Sequence, residues 1–265
     1  KMNIGTAKEP GEWRWNGFRR TYYIEGIPHH LLDFLDPGKK FTAAHFRDKA
    51  FKYVKLSLKN NRQPIIAGGT GLYISALTDN LQIPKIPPNK KLRDSLDEKS
   101  EDELFKLLES IDPESAEKID KNNKRRVIRA LEVSILSGEK FSKQKIRGEQ
   151  LFDVLKIGID VPREELYARI DKRINEMMDK GLLLEVKKLV EKKYHWDLPS
   201  MSGIGYRQFK DFLEGKQSLE KTVEKLKIDT KHYAKRQLTW FRRDKEIKWV
   251  KNYEEAEKLV EEFLS

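Results

Sequence analysis

Apolar and polar positions divide the chain into alternating helical and extended stretches. Ala43, Phe46, Ala50, Tyr53, Val54 and Leu58 recur at helical spacing, which predicts a helix over 42–60. After Asn60-Asn61 the run Ile65-Ile66-Ala67 predicts a buried strand over 64–67, so helix precedes strand as in a parallel α/β layer. Gly68-Gly69-Thr70-Gly71-Leu72-Tyr73 then turns sharply into a further helical pattern. Open α/β sheets bind ligands at the carboxyl ends of their strands, which makes this turn a candidate site. Its glycines admit close backbone approach, and Thr70 is placed either to cap the new helix or to touch a ligand.

The remaining pattern is mostly helical. Gln82-Ile83-Pro84-Lys85-Ile86-Pro87-Pro88 predicts an extended connector, because proline removes donors and disfavours helix before it. Ser100 and Glu103 form a capping box ahead of a helix over 101–110. Another helix is predicted over 122–137, stopping at Gly138, with a mobile polar loop over 139–150. Residues 152–161 alternate and are rich in β-branched side chains, which reads as a strand, and Pro162 opens a long helix. Helices follow at 181–193, 204–214 and 219–243, then a strand over 246–250 and a helix over 254–264. The aromatic-rich stretch 12–23 (Trp13, Trp15, Phe18, Tyr22, Tyr23) reads as a local β-hairpin.

Composition narrows the function classes. The chain has 265 residues, enough for one large or two modest domains. No apolar run reaches the roughly 20 residues of a membrane span, and the opening residues hold no apolar leader segment, so no membrane partner is expected. The absence of cysteine excludes disulfides, thiolate zinc sites and cysteine catalysis, and is compatible with a cytoplasmic location. Lys and Arg number 54 against 43 Asp and Glu, a formal charge of +11 that draws polyanions, nucleic acid first. The excess is concentrated. Lys121-Asn122-Asn123-Lys124-Arg125-Arg126-Val127-Ile128-Arg129 holds five cations and no acid, and a second cluster runs from Lys231 to Arg243.

The order of strands and helices resembles the nucleoside-monophosphate kinase layout, an α/β core with a parallel sheet and a helical insertion. Several blocks are more specific. Ile4-Gly5-Thr6-Ala7-Lys8, Gly26-Ile27-Pro28-His29-His30-Leu31-Leu32-Asp33, Gly68 to Tyr73, Arg125 to Val133, Ile204-Gly205-Tyr206-Arg207 and Tyr233 to Arg242 occur in order along the chain. Together they resemble the tRNA dimethylallyltransferase family, in its bacterial form. The family begins with a glycine-rich phosphate loop and an acidic segment bearing the proposed general base. No G-x-x-x-x-G-K-[ST] occurs in these residues. The expectation is therefore a P-loop NTPase-type core lacking its N-terminal phosphate-loop segment, and a chain that is inactive or nearly so as it stands. Residues 1–84, 121–173 and 222–265 are expected to form the α/β core, 85–120 a helical connector and 174–221 a helical insertion facing tRNA.

The resemblance implies transfer of a dimethylallyl group from its diphosphate to the exocyclic amine of the adenosine next to the anticodon. Mg2+ is implied as cofactor, its main site placed in the missing segment, with no metal or cofactor ligands in this chain. The partners implied are the tRNA anticodon stem-loop and dimethylallyl diphosphate, acted on by a monomer. By resemblance, Arg173 clamps the diphosphate with its forked guanidinium, or else pairs with an acid such as Glu165. Thr70 lines the channel near the adenine, or only caps its helix. Arg93, Arg125, Arg126 and Arg129 contact tRNA, or remain solvated charges, with Val127 and Ile128 in the same block facing the core. Ser202, Gly203, Ile204, Gly205, Tyr206 and Arg207 approach the anticodon loop, or form a helix-start turn. From residue type alone, His29-His30 suggest metal ligands, but adjacent histidines rarely chelate together, so a structural or substrate-positioning role is expected; Asp33 and Asp36 resemble a catalytic pair, with surface or capping roles expected instead. Two rival readings are an adenylate isopentenyltransferase and a non-catalytic RNA-binding remnant.

Overall fold

A computed structural model describes every residue except 17, 18, 83, 85 and 145–147. Phe18, Ile83, Lys85 and part of the 139–150 stretch thus lie outside the described residues. The chain is mixed α/β. Strands β1 (Glu12–Asn16), β2 (Arg19–Ile24) and β3 (Ile27–His29) form an antiparallel sheet in that order. Helices α1 (Ala43–Lys59), α2 (Gly71–Thr78), α3 (Lys90–Asp97), α4 (Glu101–Ile111), α5 (Pro113–Lys118) and α6 (Lys124–Ser137) follow. Strand β4 (Ile157–Ile159), helices α7 (Arg163–Asp179), α8 (Leu182–Glu191), α9 (Lys210–Leu213) and α10 (Leu219–Phe241), strand β5 (Lys248–Val250) and helix α11 (Tyr253–Leu264) complete it. Strands β4 and β5 pair in parallel, Ile157 opposite Lys248 and Ile159 opposite Val250.

Two compact units divide the chain, residues 1–42, 48–71 and 154–265 in one and residues 43–47 and 72–153 in the other. The first is built around Ile170 and Ile174 of α7, Leu182, Val186 and Leu189 of α8, Leu226 of α10, and Met201, Tyr206 and Phe209 from the segment between α8 and α9. The second packs Leu96, Leu104, Leu108, Ala116, Val127, Ile128 and Leu131 from α3 to α6. Its helix starts are chemically explicit. Ser100 and Glu103 form the expected capping box, and Asn123 caps α6, which ends on Gly138 in the left-handed conformation.

Several expectations need correction. Residues 64–67 form no strand. No described segment runs beside them to complete a ladder, and Ile65 is 89% exposed. The strand expected over 152–161 shrinks to 157–159, the length that β5 can pair. The helix expected over 204–214 is broken into a 3-10 turn over 207–209 and the four-residue α9, because Gly205 takes a φ of +96° that a helix cannot accommodate. The stretch after α6 is not loose throughout. Buried Asp112 accepts from the Ser115 amide and hydroxyl at 3.3 and 2.6 Å, capping α5, and from the Ser142 amide and hydroxyl at 2.7 and 2.6 Å, holding a 3-10 turn over 141–143. Burial alone would raise the Asp112 carboxyl, but these four donors bring it down to about 2.

Candidate functional site

The first unit gathers the distant sequence blocks around α10. Gln237 Nε2 donates to the Gly69 carbonyl at 2.8 Å, which fixes the Gly68-Gly69-Thr70-Gly71 turn against that helix. One turn further along, a Cβ on Gly71 would lie 2.2 Å from the Trp240 indole, so only glycine permits this approach. Thr70 stands exposed between the two anchors, and α2 begins at the next residue. Toward its other end α10 presents Asp229, which accepts from Arg207 at 3.0 Å and from Gln208 at 2.7 Å. Asp229 and Gln237 are eight residues apart, roughly 12 Å along the axis. Arg236, stacked over Tyr233 at 5.8 Å, falls on the same face as Asp229 and Trp240.

A second junction holds the 204–207 block from behind. Glu185 of α8 accepts from the amides of Asn3, Ile4 and Gly5 at 2.8, 3.0 and 3.1 Å and from the Tyr206 hydroxyl at 2.8 Å. Burial would raise this carboxyl, yet the four donors lower it on balance, and burial together with Glu185 pushes the Tyr206 phenol up. A Cβ on Gly5 would sit 2.6 Å from the Tyr206 ring, which explains why the Ile4-Gly5-Thr6 segment fits there. Lys8 then reaches Asp33 at 2.5 Å, joining this segment to the Pro-His-His block. Within that block His29 Nδ1 lies 2.9 Å from the Ile27 carbonyl, and His30 stacks on Tyr53 at 4.0 Å. Burial, then His29, lowers the His30 pKa. Asp36 accepts from Tyr194, the Gly38 amide and Lys1.

The arginines sort by partner. Arg169 pairs with Glu165 one turn away, whereas Arg173 is exposed and has no acidic partner among the described residues. Arg173 is therefore a guanidinium of α7 open to a ligand, as is exposed Arg163 at the helix start, and Thr70 and Arg173 belong to the same unit. In the second unit Arg93 grips buried Glu132 with two bonds, Nε at 2.8 and Nη2 at 2.6 Å. Arg129 joins the same carboxylate at 2.5 Å and donates to the Ile86 carbonyl at 3.1 Å. Both arginines are thus committed within the protein. Val127 and Ile128 are 1% and 8% exposed, so their side chains are core and cannot touch a ligand. Arg125 and Arg126 remain exposed, with no acid paired to them among the described residues.

In the 202–207 block, Ser202 is exposed and donates to the Pro199 carbonyl at 2.8 Å, while Gly203 and Ile204 are half-buried. Gly205 and Tyr206 are buried, so Ser202 and Arg207 supply its open side chains. Sequence reading missed Glu185, Glu132 and Gln237. The two acids carried a usable signal, since each sits in an apolar helical run where an unpaired carboxylate would be costly. Gln237 carried none.

A glycine-rich turn clamped to a long helix of net positive charge, in a mixed α/β chain of net charge +11, defines a class suited to anionic ligands. Comparison with known proteins makes the class specific. The family model described as IPP transferase matches residues 1–244, and the chain belongs to that family. It is 40% identical over 255 residues to a tRNA dimethylallyltransferase of Natranaerobius thermophilus, covering 94% of this chain and 74% of the relative. It is 42% identical over 254 residues to one of Alkaliphilus metalliredigens, covering 94% and 78%. The solved tRNA isopentenylpyrophosphate transferase of Bacillus halodurans superposes with a TM-score of 0.67 at 34% identity, covering 99% of this chain and 82% of that one. A eukaryotic dimethylallyltransferase acting on tRNA gives a TM-score of 0.67 at 30% identity, covering 82% and 56%.

Proposed function

We propose that this protein transfers the dimethylallyl group of dimethylallyl diphosphate to the exocyclic amine of the adenosine next to the anticodon of tRNA. Likeness to tRNA dimethylallyltransferases over 94% of the chain carries the reading. In this reaction a C–N bond forms at the allylic carbon, the C–O bond to diphosphate breaks, and the amine loses a proton. An exocyclic amine is a weak nucleophile, so placement against the allylic carbon supplies much of the acceleration. The clamped turn at Gly68 to Gly71 is a rigid wall for that placement, with Thr70 facing the adenine. Arg173, with no acidic partner among the described residues, takes the charge that develops on the departing diphosphate. The target base leaves its stack to reach the channel. Arg125, Arg126 and Arg207 hold tRNA phosphates, with Ser202 at the anticodon loop; Arg93 and Arg129 act through Glu132 to shape the second unit.

A divalent cation is the usual companion of a diphosphate leaving group, and Mg2+ suits the family's chemistry. Among the described residues no three His, Asp or Glu side chains converge to enclose one. We place the protein in the cytoplasm as a monomer; no described helix is long and apolar enough to cross a membrane.

The test is transfer of labelled dimethylallyl to unmodified tRNA by this protein. Label entering tRNA with free AMP unable to compete is the expected result. Label entering AMP alone would point to an adenylate isopentenyltransferase.

A further inference from the structure

The hairpin β1–β2 has no part in the site just described, yet it carries an unusual surface. Its register sets Trp13 opposite Tyr22 and Trp15 opposite Arg20, which puts these four side chains on one face. The Arg20 guanidinium lies 5.2 Å from the Trp13 ring centroid and 5.9 Å from that of Trp15. Trp15 is 71% exposed. The opposite face is different. There Arg14, stacked on Tyr23 at 5.0 Å, is neutralised by Glu12, its Nε donating at 2.7 Å. Arg20 has no such acid among the described residues, and the strand positions on its face include none.

The hairpin is also rigidly mounted. Tyr22 is 7% exposed, meets Trp13 edge-on at 5.4 Å and donates to the Glu9 carbonyl at 3.0 Å. Beyond it β2 pairs with β3, Tyr22 opposite His29, so the aromatic face runs directly into the Pro-His-His block. An exposed indole beside an unneutralised guanidinium is a surface for unpaired nucleobases. The indole offers a stacking plane to any base, and the guanidinium a forked donor to the adjoining phosphate. The net charge of +11 favours the same polyanionic partner over an apolar one.

From this geometry we infer that the Trp13, Trp15 and Arg20 face of the hairpin is a second RNA-contacting site, which stacks an unpaired base of the tRNA substrate on Trp15. The inference rests on the tRNA reading of the active site and adds a contact outside it.

Binding of an unmodified tRNA transcript, of its anticodon stem-loop and of a fully paired RNA duplex of matched length tests it, with the unaltered protein and W15A, W15F and R20A. We expect W15A to weaken binding of the tRNA or the stem-loop by about tenfold, W15F to restore most of it, and duplex binding to change little. We expect R20A to lower the slope of log affinity against log salt by about one, and W15A to leave that slope in place. Thermal unfolding of W15A at the unaltered temperature keeps the loss from being a folding defect; for R20A the slope, which a fold defect does not shift by one charge, serves that purpose. Equal weakening of duplex and stem-loop binding by W15A would overturn base stacking. If the unaltered protein binds tRNA and neither variant changes it, the hairpin site is wrong and the active-site reading stands. If the unaltered protein does not bind tRNA at all, both fall.

Discussion

The hydroxyl of Tyr206 donates to a Glu185 oxygen at 2.8 Å, and the same carboxylate accepts three consecutive backbone amides, those of Asn3, Ile4 and Gly5. This contact joins two sequence blocks some two hundred residues apart. Tyr206→Phe keeps the ring in its core position and removes one hydrogen bond to a charged acceptor, so it should lower unfolding free energy by about 1.5–3 kcal/mol. Glu185→Gln should cost more, because its amide turns a donor toward donors. Urea titration with an unchanged m value checks both. Loss of stability in Y206F smaller than that of a surface substitution would remove Glu185 from its junction role.

Acid should unlock the second unit through Glu132. Burial would raise its carboxyl, but Arg93, Arg129 and the Asn89 amide hold it at about 2, below its ordinary value of 4.5. A carboxyl depressed on folding stabilises fully above its unfolded pKa and loses that contribution as pH falls through the folded one. The stability attributable to Glu132 should therefore decline between about pH 4.5 and about pH 2. Glu132→Gln should flatten that part of the profile and cost about 3 kcal/mol at neutral pH, since two guanidinium groups lose their acid. Asp112, also held at about 2, remains in E132Q and supplies the internal comparison.

Arg173 and Arg169 share one helix face and should behave differently. Arg173→Ala should reduce transfer to tRNA by about a hundredfold with little change in unfolding temperature, the scale of removing one preorganised charge at a leaving group. Arg169→Ala removes an exposed pair with Glu165 worth about 0.3–0.5 kcal/mol and should leave turnover nearly intact. Single-turnover rates at saturating donor separate the two; comparable losses in both would mean that Arg173 is not the diphosphate clamp.

Arg125 and Arg126 should act on tRNA affinity, and Arg93 on the fold. Replacing the first two by alanine should lower the salt slope of tRNA binding by about one each while leaving unfolding unchanged. Arg93→Ala should do the reverse, because its guanidinium is occupied by buried Glu132. Affinity measured from low to moderate salt, beside thermal unfolding, decides between these assignments.

Much of the fold was legible wherever local chemistry is sufficient. The capping box at Ser100, the Asn123 and Gly138 boundaries of α6, the long helices after Pro162 and before Phe241, and the 12–23 hairpin all follow from neighbours in sequence. Extended stretches were harder. Residues 64–67 and most of 152–161 have strand composition, but a strand exists only where a second segment completes its hydrogen bonds.

The sequence by itself determined the family, through the order of its motifs, and the location of exposed cation clusters such as Arg125-Arg126, because both are properties of residue type and local spacing. Which arginines are free was decided only in three dimensions. Arg93 and Arg173 look alike along the chain, yet one meets a buried carboxylate 39 residues away and the other meets none among the described residues. The same holds for the glycine turn at Gly68 to Gly71. Its conformation is local, but its rigidity comes from Gln237 and Trp240, which lie close to it only once α10 has packed. Partners so distant in sequence are set by packing of the whole unit, and a linear pattern holds no record of them.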